Sequence, residues 1–274
     1  MGEAGEQPRS IALVGCGKMG TAMLRGWVAA QTASRFLVVE PAGMPPGLGS
    51  VAEIAWYPAG EALPDGPPPD AVVFAVKPQV VDRVLPSYRR WARPETLFLS
   101  IVAGKTLTGL ARHLGSAAIV RTMPNTPAAI GRGITVACAN ALVGSAQRRL
   151  CDRLLAAIGE SAWVEDEGLI DVVTAVSGSG PAYVFLLIEA LAAAGEAEGL
   201  PANLALRLAR STAAGSGELA RMSEESPAQL RENVTSPGGT TRAALDVLMA
   251  TDGLGPLIKR AVSAAAARSR ELAS

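Results

Sequence analysis

Apolar residues follow two different rhythms along the chain. Up to about residue 164, short β-rich runs alternate with helical spacing. Strands are predicted at residues 11–14, 36–39, 71–76, 97–101, 118–121 and 134–137, with a further short one at 53–56. Helical patterns between them begin at Met19, Val80, Leu107 and Ser145. Short continuous apolar runs alternating with helices imply crossover units and a mostly parallel sheet covered on both faces. After Gly168 the strand rhythm stops. Ala and Leu dominate, punctuated by breakers such as Gly178-Ser179-Gly180-Pro181, Gly199-Leu200-Pro201, Ser226-Pro227, Pro237-Gly238-Gly239 and Gly253-Leu254-Gly255-Pro256. Pro181, Pro201 and Pro227 each fit the first turn of a helix, where a missing N–H costs nothing. The expected organisation is an α/β domain with a mostly parallel sheet over residues 1–167, followed by an all-helical domain over residues 168–274.

One helical stretch stands out. Residues 181–194 are apolar almost all round, with Glu189 the only charge, and a helix of that kind is buried on every side. About 100 residues make a bundle too thin to cover it alone, so a second copy of the chain is expected to complete the core.

Composition narrows the function classes. The hydrophobic share is 49% but aromatics only 4%, so the cores are built from Ala, Leu and Val. The 25 basic and 25 acidic residues cancel, leaving no footprint for nucleic acid or an anionic membrane. Cys16, Cys138 and Cys151 are odd in number and widely spaced, which fits neither a disulfide framework nor a zinc site. His113 is the single histidine, and no metal-ligand spacing, P-loop or Ser/His/Asp set is present. Met1 to Arg9 carry acids and lack the pattern of a secretion signal. The longest apolar run of the second half stops at Glu189, short of a membrane span. These features predict a cytoplasmic protein with a small-molecule substrate, no metal, and no nucleic-acid or membrane partner.

Two motifs carry the chemistry. Ser10-Ile11-Ala12-Leu13-Val14 runs into Gly15-Cys16-Gly17-Lys18-Met19-Gly20. A strand, a glycine-rich turn and a helix start form a dinucleotide cradle. Gly15 allows the turn, Gly17 lets backbone approach pyrophosphate, and Gly20 lets helix pack on strand. Glu40 ends the second predicted strand, where a carboxylate accepts from a free ribose 2′-hydroxyl and repels a 2′-phosphate. No basic residue lies in the adjoining segment 41–51. That balance leans towards NADH within an NAD(P)H site, with a solvated loop charge as the alternative. Ala75-Val76-Lys77-Pro78 and, further on, Ala103-Gly104 sit at strand ends, where ligands of open parallel sheets bind. Arg121-Thr122-Met123-Pro124-Asn125-Thr126-Pro127 ends another strand, its prolines fixing a loop. Ser177-Gly178-Ser179-Gly180-Pro181-Ala182-Tyr183 reads as a hinge between two helices.

The second motif is Ser236-Pro237-Gly238-Gly239-Thr240-Thr241. Adjacent glycines at a helix start cost conformational entropy. In exchange they expose backbone N–H groups, which form an anion site. Thr240 and Thr241 add hydroxyls. A plain helix cap is the alternative, although a cap needs only one Ser or Thr.

Taken together, the glycine cluster, residues 75–79, 121–127, 171–183 and 233–241 resemble the pyrroline-5-carboxylate reductase family over nearly the whole chain. The resemblance implies hydride transfer from NAD(P)H to the imine carbon of 1-pyrroline-5-carboxylate, giving L-proline, the last step of proline synthesis. It implies a Rossmann-type fold for the first domain and dimerisation and substrate roles for the helical one, with a homodimer closed through the helical domain and often assembled further into a decamer. It places Ser236, Gly238, Gly239, Thr240 and Thr241 at the substrate, with Thr241 hydrogen-bonded to the ring nitrogen as the catalytic contact. Glu167 aligns with an acidic substrate residue, Glu224 with a group near the iminium, and Asn233 with a cofactor contact. Two departures concern the cofactor: Glu40 replaces small polar residues, and Tyr57-Pro58-Ala59-Gly60 lacks the asparagine of the adenosine pocket. β-Hydroxyacid dehydrogenases share the cradle but use a lysine on a bundle helix. Here the bundle's one lysine, Lys259, lies near the C-terminus. A cofactor-sensing dimer without catalysis would be expected to have a degraded substrate loop, and this one is intact.

Overall fold

The computed structural model describes residues 10–49 and 51–273, and resolves two compact units. One contains the chain up to Gly178 together with the residues from Ala266 onward. The other is Ser179–Ala265. The segment Met1 to Arg9, assessed above for a secretion signal, lies outside the described residues.

The first unit is an eight-stranded sheet made of β1 (Ile11–Val14), β2 (Phe36–Val39), β3 (Ile54–Tyr57), β4 (Ala71–Phe74), β5 (Leu97–Ser100), β6 (Ala118–Met123), β7 (Gly133–Ala139) and β8 (Gly159–Trp163), in the order β3-β2-β1-β4-β5-β6-β7-β8. The six strands from β3 to β6 run parallel. β7 is antiparallel to β6, and β8 is parallel to β7. β1 is flanked on both sides, pairing Leu13 with Val38 of β2 and with Val73 of β4.

Alternation along each strand divides the core between the two faces. Ile11, Leu13, Phe36 and Val38 belong to one buried cluster, with Met23, Leu24 and Trp27 of α1 (Lys18–Ala29). Ala12, Val14, Leu37 and Val39 belong to the other, with Val81 of α2 (Pro78–Val84) and Leu110 of α3 (Leu107–Leu114). The first face is extended by Leu150, Leu154 and Leu155 of α4 (Ser145–Ala156), whose Leu154 carbonyl accepts from Trp27 Nε1 at 2.9 Å.

The predicted helix starts fall within two residues of the observed ones, and the expected parallel sheet is present. β8 was not predicted. It is an edge strand with Glu160 and Ser161 exposed, so it lacks the apolar run by which the buried strands are read.

The chain leaves the sheet through α5 (Leu169–Val173), a π-helical turn at Thr174–Gly178, and α6 (Gly180–Ala197). The segment read as a hinge is therefore part of a continuous helical path. Thr174 Oγ1 and Ser177 Oγ donate to the carbonyls of Ile170 and Val173, at 2.7 and 3.1 Å, and satisfy backbone freed by the wide turn. This continuity corrects the membrane argument drawn from run length. Residues Leu169–Ala197 form one helical stretch long and apolar enough, by length and composition, to cross a bilayer.

The second unit contains α6, α7 (Ala202–Met222), α8 (Pro227–Asn233), α9 (Thr240–Leu248) and the first part of α10 (Leu254–Ala273). Pro181 and Pro227 occupy first turns as expected, whereas Pro201 is the residue just before α7. Within one chain α6 buries Ala192 and leaves Val184, Phe185, Leu186, Leu187 and Leu191 exposed. The last turns of α10 belong to the first unit, where Ala266 and Ser269 are buried.

Candidate active site

The glycine cradle has the geometry that a dinucleotide requires. Gly15 follows β1 at φ +93°, a conformation that side chains disfavour, and a Cβ there would lie 2.7 Å from the Ala75 carbonyl oxygen. A Cβ on Gly20 would collide with the Gly15 carbonyl, so helix and turn approach as closely as backbone allows. Gly17, the residue before α1, faces open space. Lys18 and Met19 form the first turn of α1. The cradle opens onto a cleft of about 530 Å3 at the carboxyl ends of β1, β2 and β4, lined among others by Gly15, Gly17, Glu40, Ala75, Val76 and Lys77. These residues fit a dinucleotide: the turn is pared to backbone where a diphosphate would approach, and the cleft extends past the end of β2.

Glu40 is held in place by backbone. Its Oε2 accepts from Cys16 N–H at 2.7 Å, and its Oε1 accepts from Ala42 N–H at 3.0 Å. The carboxylate thus joins the end of β2 to the glycine turn. Burial pushes the Cys16 thiol above its ordinary pKa, so it is a protonated packing group at neutral pH. The cleft also carries Glu61 and Arg83, distant in sequence from the segment 41–51 in which no base was found.

Ala103 and Gly104 lie beyond β5, outside the lining of that cleft. Gly104 has φ +73°, and a Cβ on it would sit 2.7 Å from the Leu272 carbonyl of α10. Its lack of a side chain therefore serves the packing of the C-terminal helix.

Arg121 lies at the heart of β6, not in the loop that the prolines of segment 121–127 fix. It is a buried cation. Nη1 donates to Glu167 Oε1 at 2.8 Å, and Nη2 lies 3.8 Å from Asp171 Oδ1 without a hydrogen bond. Glu167 Oε1 also accepts from the Leu107 amide at 2.8 Å, and Ser269 Oγ donates to Asp171 Oδ1 at 2.6 Å. One guanidinium thereby ties β6, the start of α3, α5 and α10. Glu167, aligned above with a substrate residue, has one oxygen engaged in this network. Its other oxygen makes no hydrogen bond to a described residue.

In the second unit, Gly238 has φ +70°, and Gly239 is the residue before α9 with no side-chain cap. The Gly239 amide donates to the Ser236 carbonyl at 3.0 Å. The amides of Gly238, Thr240 and Thr241 have no partner among the described residues; of the two glycine amides expected to be open, only that of Gly239 is engaged. Thr241 is half-buried and Thr240 exposed. Neither hydroxyl caps the helix or bonds to a described residue. Asn233, at the end of α8, donates to Glu225 at 3.1 and 3.2 Å and accepts from Gln229 at 2.9 Å. Glu224 is exposed.

The chain is similar to pyrroline-5-carboxylate reductases over nearly its whole length. A pyrroline-5-carboxylate reductase of Pseudomonas aeruginosa is 41% identical over 271 residues, covering 96% of each chain. The chain belongs to the pyrroline-5-carboxylate reductase family. The family model for pyrroline-5-carboxylate reductase dimerisation matches residues 167–272, and a model described as NADP oxidoreductase, coenzyme F420-dependent, matches residues 10–104. A Synechocystis pyrroline-5-carboxylate reductase is 47% identical over 204 residues, 74% of this chain and 75% of that one. The Coxiella burnetii reductase superposes with a TM-score of 0.87 at 33% identity, over 96% of this chain and 98% of that one. The Plasmodium falciparum enzyme, with NADP bound, superposes at 0.83 and 30% identity, over 98% and 99%. Family membership covers both units. The reductase dimerisation model begins at residue 167, whereas the compact units divide between Gly178 and Ser179.

Proposed function

We propose that this protein reduces 1-pyrroline-5-carboxylate to L-proline with NAD(P)H. The observation that carries the reading is α9's amino end. It is preceded by two glycines, lacks a side-chain cap, and presents amides and two hydroxyls that have no partner among the described residues. A carboxylate seated there gains N–H donors and the helix dipole. Thr241, one turn position inside, then directs its hydroxyl to the ring nitrogen. The bound nicotinamide supplies hydride to the imine carbon. A protonated imine already carries the charge that attracts hydride, so the chain's task is to align two ligands and hold charge. A threonine hydroxyl is too weak an acid to be a full proton donor at neutral pH. Thr241 acts as a hydrogen-bonding relay to a pre-protonated substrate or to water. Glu167, through its open oxygen, Glu224 and Asn233 complete the assignment, Asn233 towards the cofactor.

Purified protein incubated with the imine and either reduced nicotinamide is expected to form proline with matching oxidation of the nicotinamide. No turnover with either would overturn the reading.

The reading includes a homodimer closed through the helical unit, assembling further into a ring such as a decamer. The exposed apolar face of α6 supports it, and that face accounts for the membrane-like composition of Leu169–Ala197. Phe185→Asp is expected to convert the wild-type oligomer to smaller species in sedimentation velocity. A wild-type protein that stays a folded monomer at micromolar concentration would contradict it. The free, buried cysteines Cys16, Cys138 and Cys151 suit a reducing cytoplasm.

Glu40 weights the site towards NADH. Repulsion between a carboxylate and a phosphate at close contact is about 1–4 kcal/mol across the range from water to a protein surface. Glu40→Ser is therefore expected to raise kcat/KM for NADPH relative to NADH by about tenfold or more. An unchanged ratio would leave Glu40 as a brace for the glycine turn and nothing more.

A further inference from the structure

The cofactor cleft carries four charged side chains, Glu40, Glu61, Lys77 and Arg83, and the two signs are in different situations. Both acids have partners. Glu40 accepts from two backbone amides, and Glu61 Oε1 accepts from Ser87 Oγ at 3.1 Å. Lys77 and Arg83 make no ion pair or hydrogen bond with any described residue. A cleft whose acids are engaged and whose bases are open is prepared for an anion.

The two bases occupy different places. Lys77 precedes α2 directly after Ala75-Val76, the backbone against which Gly15 packs, so it stands beside the diphosphate turn. Arg83 is six residues on, roughly 9 Å along the helix axis, in the last turn of α2. It shares that part of the cleft wall with Ser87, four residues beyond it, and with Glu61, which Ser87 holds. NADH and NADPH carry the same diphosphate. They differ in a phosphate monoester on the adenosine ribose, which lies on the far side of the glycine turn, towards β2 and β3.

We propose that Arg83 receives the ribose 2′-phosphate of NADPH, and so lets the chain use NADPH although a glutamate ends β2. This rests on the cleft being a nicotinamide dinucleotide site. A guanidinium suits the role because its planar donors meet a phosphate through two parallel bonds. The segment 41–51 holds no base; the base comes from the helical segment after β4, which lines the same cleft as Glu40 and is tied to the segment after β3 by the Ser87–Glu61 hydrogen bond.

The test is direct binding, without imine. Arg83→Gln, Arg83→Lys and wild-type protein are titrated with NADPH and NADH by nicotinamide fluorescence, and with adenosine 2′,5′-bisphosphate and 5′-AMP by competition. Arg83 is exposed, so the variants are expected to fold. Arg83→Gln should weaken NADPH and the bisphosphate by about 10- to 100-fold and leave NADH and 5′-AMP within about threefold. Arg83→Lys should fall between. Added salt should weaken NADPH more than NADH in the wild type and equally in Arg83→Gln. Equal losses for all four ligands would assign Arg83 to the shared diphosphate or adenine and overturn the proposal. So would no loss. A wild type that binds neither nicotinamide would overturn the dinucleotide reading itself, a result distinct from either.

Discussion

Thr241→Ala is expected to lower kcat and kcat/KM for the imine together, by about 10- to 100-fold, and to leave nicotinamide affinity near the wild-type value. The magnitude is that of one oriented hydrogen bond to a charged group, about 1.5–3 kcal/mol. In the proposed assignment the hydroxyl contributes most as hydride arrives and the ring nitrogen gains basicity, so its loss should appear in the transition state more than in binding. The structure removes the competing explanation that Thr241 is a helix cap. Gly239 holds the cap position, and the Thr241 hydroxyl bonds to no described residue. Stability should therefore change by no more than about 0.5 kcal/mol. The glycines should respond differently. Gly238 has φ +70° and faces open space, so Gly238→Ala strains the turn and is expected to raise KM for the imine more than it lowers kcat. Gly239 has φ −81°, which alanine tolerates, but a Cβ would meet the Ser236 carbonyl at 3.2 Å. Gly239→Ala should raise KM less. Steady-state kinetics with saturating nicotinamide decides the matter: wild-type kcat in Thr241→Ala would end its catalytic assignment.

How much of this was legible in the sequence depended on whether the signal was local. β1 and β2 were readable to the residue because each is a four-residue apolar run buried on both faces. β8 was not, since an exposed edge strand needs no apolar run. The break expected at Gly178-Ser179-Gly180-Pro181 followed from composition, but the chain stays helical there. A π turn widens the helix, and Pro181 falls in the first turn of α6, where its missing N–H costs nothing. The cradle was legible because glycine spacing is itself the signal. The charges were not. Arg83 and Glu40 line one cleft from different chain segments, and Arg121 meets Glu167 across 46 residues of chain. Spacing along a sequence encodes neither encounter. Charge within the loop 41–51 is likewise an incomplete guide to cofactor choice, because the cleft is built from four chain segments.

Arg121→Ala is expected to destabilise the protein by about 3 kcal/mol, the low end of what breaking a buried ion pair costs. Arg121 is 3% exposed, with Glu167 and Asp171 at 26% and 11%. Its removal leaves two carboxylates near one another without the cation that offsets their desolvation. The low end applies because Glu167 keeps some contact with water and the Leu107 amide, and Asp171 keeps Ser269. For a chain of this size the loss corresponds to a fall in melting temperature of about 6–12 °C. Protein concentration must be held fixed, because oligomerisation adds to apparent stability. Arg268–Glu271 is the matched control. It has the same 2.8 Å separation but side chains 66% and 63% exposed, so Arg268→Ala should cost less than about 1 kcal/mol. Arg121→Lys separates charge from geometry. A lysine restores a cation but cannot hold its donors in a fixed fork towards Glu167 and Asp171. It should recover part of the lost stability but not all of it. Equal melting temperatures for Arg121→Ala and Arg268→Ala would show that the buried network contributes nothing beyond a surface pair.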